Sequence, residues 1–66
     1  MGHDSEGVLL IRAWIEQGST EPLHAHIEST VGLPPAPVSD HAVAGVNPVL
    51  EAVKAWLQQI LATSKV

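Results

Sequence analysis

The sequence contains no cysteine, no phenylalanine and no tyrosine, and it carries only three cationic residues among 66. Without cysteine there is neither a disulfide framework nor a thiolate metal site. Arg12, Lys54 and Lys65 are the cations, and the net charge is −4 with neutral histidines. Three scattered positive charges cannot neutralise a track of phosphates, so no nucleic-acid partner is expected. The longest unbroken apolar run, Val8 to Ile11, is far too short to span a bilayer, which takes roughly 20 residues as a helix. No basic segment followed by an apolar stretch opens the chain, so the expected location is cytoplasmic, with no membrane partner. There is also no glycine-rich phosphate loop and no nucleophile elbow. Serines, histidines and carboxylates are present, but no spacing among them specifies a catalytic triad. The expectation is a non-enzyme with no catalytic residues and no cofactor.

What remains is aliphatic. Apolar residues make up 45% of the chain, too many for a segment disordered by low hydrophobicity. They are nearly all Val, Leu, Ile and Ala, with two tryptophans, Trp14 and Trp56. Such a chain lies near the lower size limit for folding alone. Small domains usually gain stability from disulfides, a metal or self-association. With disulfides excluded, a homo-oligomer, most simply a dimer, is expected.

Along the chain, residues 1–7 are small and polar and read as a disordered leader. Residues 8–66 read as a single ββ(β)α domain. Val8 to Glu16 alternates as a strand: Leu9, Ile11, Ala13 and Ile15 form a wholly apolar face assigned to the core, and Val8, Leu10, Arg12, Trp14 and Glu16 form the other. Gln17 to Pro22 is turn chemistry, with Gly18 free to take positive φ. A second alternation sets Leu23, Ala25 and Ile27 against His24, His26 and Glu28, completing a hairpin. Two registers keep the apolar faces together. A three-residue loop sets Arg12 opposite His24; a loop lengthened by one residue in each direction sets Trp14 opposite His24 and Arg12 opposite His26.

Three prolines in the connector 32–37 exclude ladder and helix there. Asp40-His41 reads as an Asx-type turn or polar loop, and a short third strand is expected over His41 to Ala44, because a two-stranded ribbon is a poor platform. Asn47 then suits an N-cap and Pro48 the first helical position. Leu50, Val53, Leu57, Ile60 and Leu61 recur at helical spacing, widened by Val49 and Trp56 into a stripe about half the circumference, with Glu51, Lys54, Gln58 and Gln59 opposite. Glu51 near one end and Lys65 beyond the other suit the macrodipole. The fold class is α+β: an N-terminal β-hairpin, with a short third strand, on one C-terminal amphipathic helix.

Two groups of residues are candidates for function. The outer strand face mixes Leu10 and Trp14 with Arg12, a combination more typical of contact surfaces than of wet sheet faces, and Trp56 adds a second contact candidate on the helix. The strand segment His24-Ala25-His26-Ile27-Glu28 places two imidazoles and a carboxylate on one face, the donor types that suit Zn²⁺. Polar positions also alternate this way wherever a sheet face meets water, so no metal is expected, and His24, His26 and Glu28 are the residues that would hold one. The preferred reading is a self-associating protein–protein interaction or regulatory accessory module. The alternatives are a small metal-binding protein and an acidic, antitoxin-like partner for a basic surface.

The segments Ile11-Arg12-Ala13-Trp14-Ile15-Glu16, Glu21-Pro22-Leu23-His24-Ala25-His26-Ile27 and Val49 to Leu57, closing on Ala55-Trp56-Leu57, together resemble an R-x-W-x-E, P-L-x-x-x-I, V-x-x-W-L pattern of small uncharacterised actinobacterial proteins. That pattern often has arginine in the second strand, where this chain has His24 and His26. The resemblance implies a shared spacing of structural residues and no activity.

Overall fold

The computed structural model describes residues 6–32 and 36–63. It is an α+β fold: strands β1 (Gly7–Ile15), β2 (Leu23–Val31) and β3 (Ser39–Ala44), followed by helix α1 (Val46–Thr63). The sheet is antiparallel in the order β1-β2-β3, so β1 and β3 are both edges. The hairpin takes the longer-loop register, with Trp14 opposite His24, Arg12 opposite His26 and Ile11 opposite Ile27. Glu16 N donates to Pro22 O at 2.7 Å, closing the loop over residues 17–21. Gly18 takes φ 85° in the turn.

Several boundaries differ from the sequence reading. β1 begins at Gly7, inside the expected leader, and ends at Ile15; residues 1–5 of the leader lie outside the described residues, as do residues 33–35 of the connector and Lys65. The third strand is longer than expected and contains Asp40 and His41, which are ladder residues and not a turn. The ladder continues to Gly45, whose N donates to Leu23 O at 2.8 Å. Gly45 then turns the chain directly into the helix with φ 97°, so α1 starts at Val46, ahead of the expected cap at Asn47. Pro48 remains within the first turn, where no intrahelical donor is missed. Glu51 falls beyond that turn, which contains no acidic residue.

Alternation fixes the two sheet faces. Ala25 and Ile27 of β2 are fully covered and are the buried apolar residues among those described. The helix covers them. Its N-terminus starts beside Leu23, Trp56 Nε1 donates to Thr30 O at 3.0 Å, and Ile60 Cδ1 stands 2.8 Å from where a Cβ on Gly7 would lie. The helix therefore runs along β2 and reaches β1 at that strand's start.

This placement overturns the core assignment made from sequence. On β1, Leu9 is half-buried, but Ile11, Ala13 and Ile15 are exposed, Ile15 by 64%. On the helix, the half-buried line is Val49, Ala52, Val53, Trp56 and Ile60, whereas Leu50, Leu57 and Leu61 are exposed. The reason is geometric. One helix about 10 Å across covers roughly two strands spaced about 4.8 Å apart, and this one is centred on β2. Gln59 shares a groove with Val38 and Ser39 beside β3. At 100° per residue the opposite flank, carrying Val46, Leu50, Leu57 and Leu61, leans toward β1. The apolar face of β1 and the apolar flank of α1 thus border one another and stay uncovered.

Candidate functional site

Two features of the fold bear on function, one on each side of the sheet. The first is the open edge of β1 with the uncovered flank of α1. Hydrogen-bonded pairs alternate along an antiparallel ladder. The rungs Glu16 to Pro22 and Gly32 to Glu6 assign the even-numbered residues of β1 to β2. The odd-numbered residues 7, 9, 11, 13 and 15 therefore turn their backbone N–H and C=O groups toward the open edge. Ile11, Ala13 and Ile15 also carry the exposed apolar side chains on the helix side.

The second feature is the outer face, which the helix does not touch. It carries Leu10, Arg12 and Trp14 from β1, His24, His26 and Glu28 from β2, and Asp40 and Ala42 from β3. The side chains form two groups. Trp14 and His24 stack with ring centroids 6.1 Å apart and an interplanar angle of 24°, as their direct cross-strand pairing allows. The Arg12 guanidinium carbon lies 6.0 Å from the Trp14 ring centroid, and the indole Nε1 donates to Glu16 Oε1 at 3.3 Å. His24 Nε2 lies 3.4 Å from Ser19 Oγ. These contacts draw His24 toward the turn.

The other group is His26, Glu28 and Asp40. His26 Nδ1 stands 3.9 Å from Glu28 Oε2, and one donor atom from each of the three lies within 4.8 Å of the others. The set anticipated from sequence was His24, His26 and Glu28. His26 and Glu28 belong to the cluster, His24 does not, and Asp40 takes its place. Alternation along β2 shows which residues share its outer face, but Asp40 reaches the cluster only through the β2–β3 register, set across the proline-rich connector. No spacing rule reads that register.

Of the contact candidates, Leu10, Arg12 and Trp14 are exposed on the outer face, Leu10 by 58%. Trp56 instead lies against the sheet and anchors the helix through Thr30. The outer-face grooves are shallow: about 130 Å³ among Leu10, Arg12, His26 and Glu28, and about 160 Å³ around Val8, Leu10 and Val38. Small-molecule sites usually start at about 300 Å³. Among the described residues no helix is long and apolar enough to cross a membrane. No protein-family model matches the chain, and neither the curated proteins nor the solved structures give a match.

Proposed function

We propose that this chain is a small, non-enzymatic protein–protein interaction module that self-associates through the open edge of β1. The observation that carries the reading is the exposure of β1 on both faces and along its edge, next to the exposed flank of α1. A long apolar edge strand with free backbone groups is a template for pairing with another strand. Soluble proteins blunt such edges, yet this one has Arg12 as its single charge between Gly7 and Ile15.

A second copy supplies a matching edge. Antiparallel pairing about a two-fold axis through Ile11 uses the whole strand. It sets Ile11 against Ile11 of the second copy, Leu9 against its Ala13 and Gly7 against its Ile15. All are odd-numbered, so the outward backbone groups meet each other. Shifting the axis to Arg12 would oppose two guanidinium groups, which is unfavourable. In the Ile11 register the two helices lie on the same side of a six-stranded sheet. Their β2 strands are then about 14 Å apart, so leucines from both flanks can fill the space above the paired strands.

Sedimentation equilibrium at micromolar concentration tests the reading. The expected result is a dimer for the native chain and a monomer for Ile11→Lys, which puts two like charges at the two-fold axis and obstructs the edge. A native monomer with a concentration-independent melting temperature would rule out self-association.

A further inference from the structure

The cluster on β2 and β3 has a use that edge pairing does not need. Gly45 N bonds Leu23 O, so by alternation the odd-numbered residues of β2 carry the bonds to β3. Glu28 and Asp40, directly opposed in the register, are then a non-hydrogen-bonded pair, the kind whose side chains stand closest. Two carboxylates held opposite each other repel. Among the described residues no lysine or arginine makes an ion pair with either of them: Arg12 rests by the Trp14 ring, and Lys54 is an exposed residue of the helix on the other side of the sheet. The group that does approach is an imidazole, His26 Nδ1 at 3.9 Å from Glu28 Oε2.

We propose that His26, Glu28 and Asp40 form a site for a divalent first-row transition cation, with Zn²⁺ as its representative. One nitrogen and two carboxylate oxygens are a donor set such ions accept, and three protein ligands leave a position for water. The imidazole favours them over Mg²⁺ and Ca²⁺, which take oxygen ligands. Donors at 2.0–2.2 Å around a tetrahedral ion stand about 3.3–3.6 Å apart. The three atoms, now within 4.8 Å of one another, must close by roughly 1 Å, a distance that side-chain rotation of exposed Asp40 and partly exposed Glu28 covers. The ladder already holds the two strands in place. The cation relieves the repulsion between Glu28 and Asp40 and ties edge strand β3 to the centre of the sheet.

The site lies within one chain and away from the β1 edge, so it goes beyond self-association and is tested separately from it. The untagged full chain is melted with chelator, with Zn²⁺, with Mg²⁺ and with Ca²⁺, and Zn²⁺ is titrated by calorimetry. Expected are a melting-temperature rise of several degrees with Zn²⁺, no rise with Mg²⁺ or Ca²⁺, and one ion per chain whether the chain is monomer or dimer. Asp40→Asn and His26→Ala abolish the rise, whereas His24→Ala retains it. The proposal is overturned if Zn²⁺ gives no rise over chelator, if Asp40→Asn binds as tightly as the native chain, or if His24→Ala abolishes binding. Should a variant fail to fold, imidazole nitrogen resonances of the native chain decide the matter. Movement of His26 alone with Zn²⁺ supports the site, and movement of His24 overturns it.

Discussion

Ile27 and Ile15 point to the same side of the sheet but differ widely in environment. Ile27 sits on the central strand under the helix and is 1% exposed; Ile15 sits at the end of an edge strand and is 64% exposed. Truncating Ile27 removes buried methyl groups and leaves a cavity that ladders on both sides keep from collapsing. Ile27→Ala should therefore destabilise the chain by about 2–5 kcal/mol, enough to abolish a cooperative denaturant transition in so small a domain. Lys54→Ala, at an exposed helix position, should stay within about 0.5 kcal/mol. Equal midpoints for the two variants would show that Ile27 is not the centre of the core. At this scale the sequence was informative about parity. Alternation alone places Ala25 and Ile27 on one face and His26 and Glu28 on the other. Degree of burial was not legible, because Ile11, Ile15 and Ile27 are chemically identical and only the position of the helix distinguishes them.

The helix shows the same division between what periodicity determines and what packing determines. The spacing of Val49, Leu50, Val53, Trp56, Leu57, Ile60 and Leu61 specifies a helix with a wide apolar stripe. It does not specify which part of the stripe meets the sheet. The choice is made at two anchors. Gly45 turns the chain at φ 97° directly from the β3 ladder, and Trp56 Nε1 is held by Thr30 O. Gly45→Ala would force an alanine into the left-handed region, with its Cβ 3.0 Å from Glu21 Oε1. Glu21 is exposed and can move aside, so the backbone term dominates, and a loss of about 1–2 kcal/mol is expected in thermal melts. Trp56→Phe keeps most of the ring but leaves the Thr30 carbonyl without the indole donor. A loss of about 0.5–1.5 kcal/mol is expected, with helicity in circular dichroism unchanged. A loss of helix content would mean that Trp56 nucleates the element as well as orienting it. The connector conceals the remaining element-level fact, the β2–β3 register, and with it the approach of Asp40 to Glu28.

At the scale of the whole molecule, apolar surface is exposed on both sides of β1, and the proposed two-fold arrangement makes a specific demand on the helix flank. Leu57 and Leu61, exposed by 48% and 70%, would meet their counterparts above the paired β1 strands. A two-fold axis applies every substitution twice. If Leu57→Ser removes about 1–1.5 kcal/mol of apolar burial per chain, the dimer loses about 2–3 kcal/mol, and its dissociation constant rises roughly 30- to 150-fold. The monomer should change little, because Leu57 touches solvent there, so the melting temperature falls most where the native chain is dimeric. Association of two sheets through their outer faces makes the opposite demand: it would tolerate Leu57→Ser and be blocked by Ala42→Lys on β3, remote from the β1 edge. Sedimentation of the two variants beside the native chain separates the arrangements. Edge pairing requires that Leu57→Ser dissociate the dimer and Ala42→Lys leave its mass unchanged; the reverse result would move the interface to the face that carries Trp14.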